Sequence, residues 1–314
     1  MDYVEQEIII RTVKDDNPGI AISVGGPLLS HLEKTVRPCV RMALTGRSSM
    51  VGQPPKWLRA AWDFRALDFV RRDGDTILRI AAPKLGDAAP RVFEQQSLWE
   101  KAVRPEETAL DLFGKLVDDV RAQSGSSDAY DEPLLQRLTG WQGLLQTKVK
   151  AVRLPNVAYT SSGAELDESV VVAARALSSR IPSPRQIRLV GKIDMVRWST
   201  RSMAIRVDDG TEYRCAVINE EVGDLGRYGG HEVTVLGKAI YRPTGTVLRL
   251  DVEQVLDTTE GRAAYSDVPL SFENRREVER KRQTAKNGVS AVFGSWPGDE
   301  SDEELLASLS ELRR

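Results

Sequence analysis

The chain is poor in the residues that most often announce chemistry. It has two cysteines, Cys39 and Cys215, and two histidines, His31 and His231, in 314 residues. Two cysteines so far apart make neither a disulfide framework nor a zinc pattern. Both lie in apolar contexts, where buried free thiols are expected. A Ser-His-Asp or Cys-His arrangement would need one of the two histidines, and neither stands in a nucleophile motif. The sequence contains no Gly-x-x-x-x-Gly-Lys-Ser/Thr loop and no Gly-x-Gly-x-x-Gly after a strand, which excludes the two commonest phosphate cradles. No apolar run approaches the length of a membrane span. The N-terminus lacks the basic and apolar regions of a signal peptide. Net charge is −2, so no global field draws the chain to nucleic acid or lipid. These absences set the expectation of a cytoplasmic, bacterial-type binding protein. No enzymatic activity, cofactor, metal or membrane contact is expected of it.

What is present is ordinary for a globular protein: 41% hydrophobic and 29% charged residues. The length suggests about two domains. The pattern predicts an α+β N-terminal domain with a helical insertion over 1–155. Tyr3–Val13 reads as a strand, followed by turn residues at Asp15–Gly19 and a second short strand over Ile20–Val24. Gly25-Gly26-Pro27 breaks it. Leu28–Lys34 reads as a helical turn or two, and Arg37–Leu44 as a further strand. A short helix from Trp57 gives way to a strand ending near Val70. Asp73-Gly74 then turns a hairpin into Thr76–Ala82.

The insertion is helical. Ala88–Trp99 suits a short helix, and Pro105 is placed to open the next one. Leu110, Phe113, Leu116, Val117 and Val120 repeat at helical spacing. A third helix starts at Pro133 and carries Leu134, Leu135, Leu138, Trp141, Leu144 and Leu145. Thr147–Leu154 returns to the first sheet as a strand. Asp128 and Asp131 flank Tyr130 before the third helix. With no third ligand nearby, they read as helix caps and solvated charge rather than as metal ligands. Residues 156–184 read as a linker and a helix, the helix spanning Glu165–Leu177.

A compact all-β module follows over 185–257. Its five strands are expected at Gln186–Trp198, Met203–Val207, Thr211–Ile218, His231–Tyr241 and Thr246–Leu256. Gly191 and Gly237 lie inside strands, which suits sharp coiling in a small barrel. The string resembles an OB-fold barrel; an SH3-like barrel produces a similar one. Arg197-Trp198 and Tyr241-Arg242 each set a cation beside an aromatic ring, the combination that binds single-stranded nucleic acid. Residues 258–288 read as a basic linker, with Arg275, Arg276, Arg280 and Lys281 in a helix-permissive stretch. Such charge runs are usually a solvated face.

The last segment, 289–314, is the most distinctive. Phe293 and Trp296 sit in a Gly/Pro-rich stretch that cannot continue a helix. Ser301 and Glu304 make a capping box, and Asp302, Glu303 and Glu304 put negative charge at the positive end of the helix dipole. Leu305, Leu306, Leu309 and Leu312 then fall on one helical face. An extended aromatic anchor followed by an amphipathic helix is how a chain grips a partner groove. Phe293–Glu304, reading Phe-Gly-Ser-Trp-Pro-Gly-Asp-Glu-Ser-Asp-Glu-Glu, resembles the C-terminal toxin-binding segment of small prokaryotic type II antitoxins of PIN-domain ribonuclease toxins. The resemblance covers this segment and the leucine helix behind it.

That likeness implies a small nuclease toxin as partner. Phe293 and Trp296 would fill apolar pockets and Pro297 would direct the chain across the toxin. The leucine face would dock in a groove, and Arg313 or Arg314 would be presented to the carboxylate-rich active site. Family members are usually short, with a small DNA-binding domain; here residues 1–288 precede the segment and carry no ribbon-helix-helix signature. The alternative function is nucleic-acid binding, to DNA or RNA, by the barrel and the basic segment in a regulatory or phage-defence role. Oligomeric state is not legible.

Overall fold

The computed structural model describes residues 2–13, 20–50, 52–94, 103–155, 163–218 and 228–257. The basic segment 258–288 and the distinctive segment 289–314 lie outside the described residues.

The first sheet is built around β1 (Tyr3–Thr12). Ile8 and Ile10 of this strand point to one face and are fully buried, as the two-residue period of a strand requires. β2 (Arg65–Arg72) and β3 (Asp75–Pro83) form the expected hairpin. Its turn residues Asp73 and Gly74 both have positive φ, 53° and 87°, the backbone that favours Asp-Gly in a two-residue hairpin loop. β4 (Val149–Leu154) does return to this sheet, and β5 (Ala164–Asp167) completes it. The order is β2-β3-β1-β4-β5, and every pairing is antiparallel.

The largest departure from the sequence reading is α1, a 24-residue helix from Ile22 to Thr45. It replaces the short strands expected at 20–24 and 37–44. Pro27 and Pro38 lie inside it, and an interior proline costs a helix about 3 kcal/mol. Burial offsets that cost. Leu28, Leu32, Val36, Cys39 and Val40 form one stripe, all 3% exposed or less. Gly46 ends the helix with φ 77°, and its N–H donates to Met42 O at 2.8 Å.

α2 (Lys56–Ala61) precedes β2 as expected. A short helix α3 (Leu85–Ala88) ends where the helix expected from Ala88 was to begin, and a second, α4 (Pro90–Glu94), occupies the start of that expected helix. The next helix, α5 (Ala109–Arg121), does not begin at Pro105. Thr108 and Asp111 form a capping box that sets its start four residues later. The helix expected from Pro133 is two: α6 (Glu132–Thr139), capped by Asp131, and α7 (Gln142–Thr147). The stretch expected as helix from Glu165 first adds strand β5 to the sheet, and Asp167 then caps α8 (Glu168–Ser178). α8 packs on α5 and α6, so 164–178 belongs to the sheet-and-helix body rather than to a linker.

The second structural layer is a closed five-stranded barrel. Its strands are β6 (Arg185–Arg197), β7 (Ser202–Arg206), β8 (Glu212–Val217), β9 (Glu232–Tyr241) and β10 (Val247–Asp257). All five match the expected strands to within a residue or two. The order around the barrel is β10-β8-β7-β6-β9, and β8 pairs with β10 in parallel. Closure depends on Gly237. A Cβ there would lie 2.1 Å from the carbonyl oxygen of Asp251 on β10, so only glycine permits this approach. Body and barrel belong to one compact unit, Met1–Phe272. Leu248 of β10 joins the apolar core of the body. No helix among the described residues is long and apolar enough to cross a membrane.

Candidate functional site: a cavity framed by arginine–aspartate contacts

The turn between α5 and α6 holds the barrel against the body. Asp131 is fully buried at its side chain and does three things. Its carboxylate caps α6 by accepting from Leu134 N at 3.3 Å. It accepts from the backbone N–H of Ser48 at 3.1 Å and from the Ser48 hydroxyl. It also receives Nη1 of Arg249, from β10, at 3.1 Å. Arg249 is itself 6% exposed and donates Nε to Asp251 at 2.7 Å. A buried carboxylate needs this full set of donors, because an unpaired buried charge is expensive. Asp128, three residues earlier, accepts from Arg214 Nη1 of β8 at 2.9 Å and from Arg242 at 2.5 Å and 3.1 Å. Asp131 is therefore a cap, as read from sequence. Asp128 remains an exposed charge, 44% exposed at its side chain, and also pairs with two arginines of the barrel.

A partly enclosed cavity of about 530 Å³ lies beside these contacts. One wall is α1, through Cys39, Met42 and Ala43, with Leu112, Lys115 and Asp119 of α5 and the Ser127–Ala129 turn. The opposite wall is the barrel. Ser202 and Ala216 are register partners across β7 and β8, as are Ala204 and Arg214. These pairs share one face, and that face lines the cavity together with Arg197 at the end of β6. Three of the five methionines, Met42, Met195 and Met203, line it, and so do both cysteines.

The electrostatics of the walls are uneven. The Arg197 guanidinium is held below its ordinary pKa, first by burial and then by the like charge of Arg214. Lys115 pairs with the fully buried Glu107. Asp119 accepts from the Ser127 hydroxyl at 2.5 Å. Burial pushes the Cys39 thiol up to about 12 and raises Cys215 as well. Both cysteines are therefore held as thiols at neutral pH and are poor nucleophiles. His31 lies 5.3 Å from the Trp141 ring, and Trp141 Nε1 donates to Thr35 at 3.0 Å, a packing arrangement in the body. Among the described residues, no group of three or more His, Cys, Asp or Glu is placed to hold a metal ion.

The residues expected to contact nucleic acid are not gathered on one open face. Tyr241 is 1% exposed, packed in the barrel core, so its ring is not offered for stacking. Arg242 is 17% exposed and committed to Asp128. Arg197 faces the cavity. Trp198, 54% exposed, is the residue of this set whose ring reaches solvent. Arg275, Arg276, Arg280 and Lys281 lie outside the described residues, as do Phe293, Trp296, Pro297, Leu305, Leu306, Leu309, Leu312 and Arg313.

The cavity escaped the sequence reading because its walls come from α1, α5 and the barrel, segments far apart in sequence, and no local motif marks them. The clustering of methionine and cysteine in apolar contexts was its one compositional trace. Comparison with protein-family models, with curated proteins and with solved structures gives no match for this chain.

Proposed function

We propose that the chain is an antitoxin-like binding protein that neutralises a PIN-domain ribonuclease through residues 289–314. The observation that carries this reading is the ordered motif Phe293, Trp296, Pro297-Gly298 and the acidic cap, followed by the leucine face of 305–312. Phe293 and Trp296 serve as anchors in apolar pockets of the partner. Leu305, Leu306, Leu309 and Leu312 lie in a groove. Arg313 meets the carboxylates of the nuclease site, where a cation competes with the catalytic metal.

The test produces the proteins of the reading frames beside this chain's own and assays them for RNA cleavage; a small PIN-type nuclease is expected among them. The full chain is expected to abolish cleavage, and a chain ending at residue 288 is expected not to. Trp296→Ala should weaken binding by about 2 kcal/mol, roughly thirtyfold, as anchor truncations do. Equal inhibition by the truncated chain refutes the reading.

The alternative places nucleic acid on the barrel. The strand order β6-β7-β8-β10-β9, with its parallel β8–β10 pair, supports reading the barrel as an OB fold, a fold that uses the face of its second and third strands for ligands. Here Ala204 and Ala216 on that face are 2% and 4% exposed. The tail reading is therefore preferred to the barrel reading.

A further inference from the structure

We propose that the cavity between α1, α5 and the β7–β8 face is a binding site for an uncharged aliphatic molecule whose head is a hydrogen-bond-accepting oxygen, as in an alcohol or a ketone. This inference stands apart from the reading of residues 289–314, and its test changes nothing there. It rests first on how the space arises and why it persists. Met203 and Ile205 of β7, with Cys215 and Val217 of β8, belong to the barrel core. Alternation along the strands therefore turns Ser202, Ala204 and Ala216 to the opposite face, which lines the cavity. Ala43 of α1 lines it from the body. Small side chains leave a gap where a core at native density would be filled. The gap does not close by collapse, because Arg214–Asp128 and Arg249–Asp131 fix the barrel against the body beside it. Its volume of about 530 Å³ lies within the ~300–1,000 Å³ of small-molecule pockets.

The walls select against charge. Met42, Val103, Leu112 and Leu248 give them aliphatic surface. The charged side chains of the lining are already engaged. Lys115 pairs with Glu107, and Asp119 accepts from Ser127 Oγ at 2.5 Å. Asp128 holds Arg214 at 2.9 Å, and Arg249 is committed to Asp131 at 3.1 Å and Asp251 at 2.7 Å. Arg197 is not free either. An ionised ligand would enter without a counter-ion or break one of these contacts, and both are costly away from water.

The head is selected by a pair of hydroxyls. Thr200 Oγ1 and Ser202 Oγ both line the cavity, lie 2.7 Å apart and share one hydrogen bond in which either can donate. Two hydroxyls carry two protons, so one O–H of the pair remains to donate to an oxygen in the cavity. A neutral carbonyl or hydroxyl oxygen accepts it at little desolvation cost. A carboxylate accepts it only by giving up the hydration of its charge.

The experiment is calorimetric titration of the full chain at neutral pH with 1-octanol, 2-octanone, octanoate and octylammonium. At least one of the two neutral molecules is expected to bind with a dissociation constant below about 0.5 mM, and both ions at least about tenfold more weakly than it. Ala43→Phe, which fills the space, should abolish binding. Thr200→Val combined with Ser202→Ala removes both hydroxyls together and leaves neither partner unsatisfied; it should keep the parent's thermal midpoint and weaken the neutral ligand about fivefold, the worth of one net hydrogen bond. This second variant decides the matter where Ala43→Phe does not fold. The proposal is overturned if neither neutral molecule binds below about 0.5 mM, or if either ion binds within tenfold of the better one. It is equally overturned if the chain lacking both hydroxyls binds the neutral ligand like the parent.

Discussion

Replacing Arg249 by methionine tests what holds the barrel to the body. The side chain keeps its aliphatic stem but loses the guanidinium. That removes the 3.1 Å contact to Asp131 and the 2.7 Å contact to Asp251. Asp131 stays fully buried and keeps only its Ser48 and Leu134 donors. Removing one partner of a buried ion pair costs about 3–5 kcal/mol, because the other charge is left without compensation. The retained methylene packing puts the expected loss near the lower end, about 3 kcal/mol. With a urea slope of about 3 kcal/mol per molar, the midpoint should fall by about 1 M. The cycle completed by Asp131→Ala and the double variant should return a coupling of about 2 kcal/mol between the pair. A loss below about 0.5 kcal/mol, the scale of an exposed pair, would refute the assignment of Arg249 and Asp131 as the buried link.

Two further outcomes follow from local geometry. Gly237→Ala forces a Cβ to within 2.1 Å of the Asp251 carbonyl oxygen, so β9 and β10 must separate; the variant should lose cooperative unfolding of the barrel in a thermal melt, whereas Gly26→Ala, with nothing within 4 Å, should not. Asp63 accepts from Arg65 and from Tyr3 Oη at 2.8 Å and 2.7 Å, and the arginine bond, then the tyrosine bond, hold its carboxyl below the usual carboxylate range. A depressed folded pKa gives stability above the unfolded value and loses it as pH falls through the folded one, so Asp63→Asn should be less stable than the parent at pH 7 and equal to it at the acid end of a denaturation series.

The barrel was the more legible half. Its strands alternate, its turns carry Asp-Asp-Gly and Pro-Thr-Gly, and Gly237 announced a close approach that the structure contains. α1 was obscured by a conflict of levels. Gly25, Gly26, Pro27 and Pro38 argue locally against a helix, while the stripe from Leu28 to Val40 argues for one. Packing against α5 and α6 decides in favour of the stripe, which no local window contains. The same limit applies to the Asp128–Asp131 turn. Its capping role is written in the spacing of Asp131 and Leu134. Its arginine partners lie 86 to 118 residues away and are found only through the fold. Likewise Tyr241-Arg242 looks like a stacking pair in sequence, but alternation along β9 turns the ring into the barrel.

The Asp128–Asp131 turn also constrains how this protein can change over generations. Arg214, Arg242 and Arg249 reach it from three places on the barrel. A barrel moved by recombination onto another body would arrive with these cations shaped to a turn that is no longer there. A body given another barrel would keep Asp131 buried without its arginine. A chimaera of body and barrel is therefore expected to stay folded only where the turn moves with the barrel.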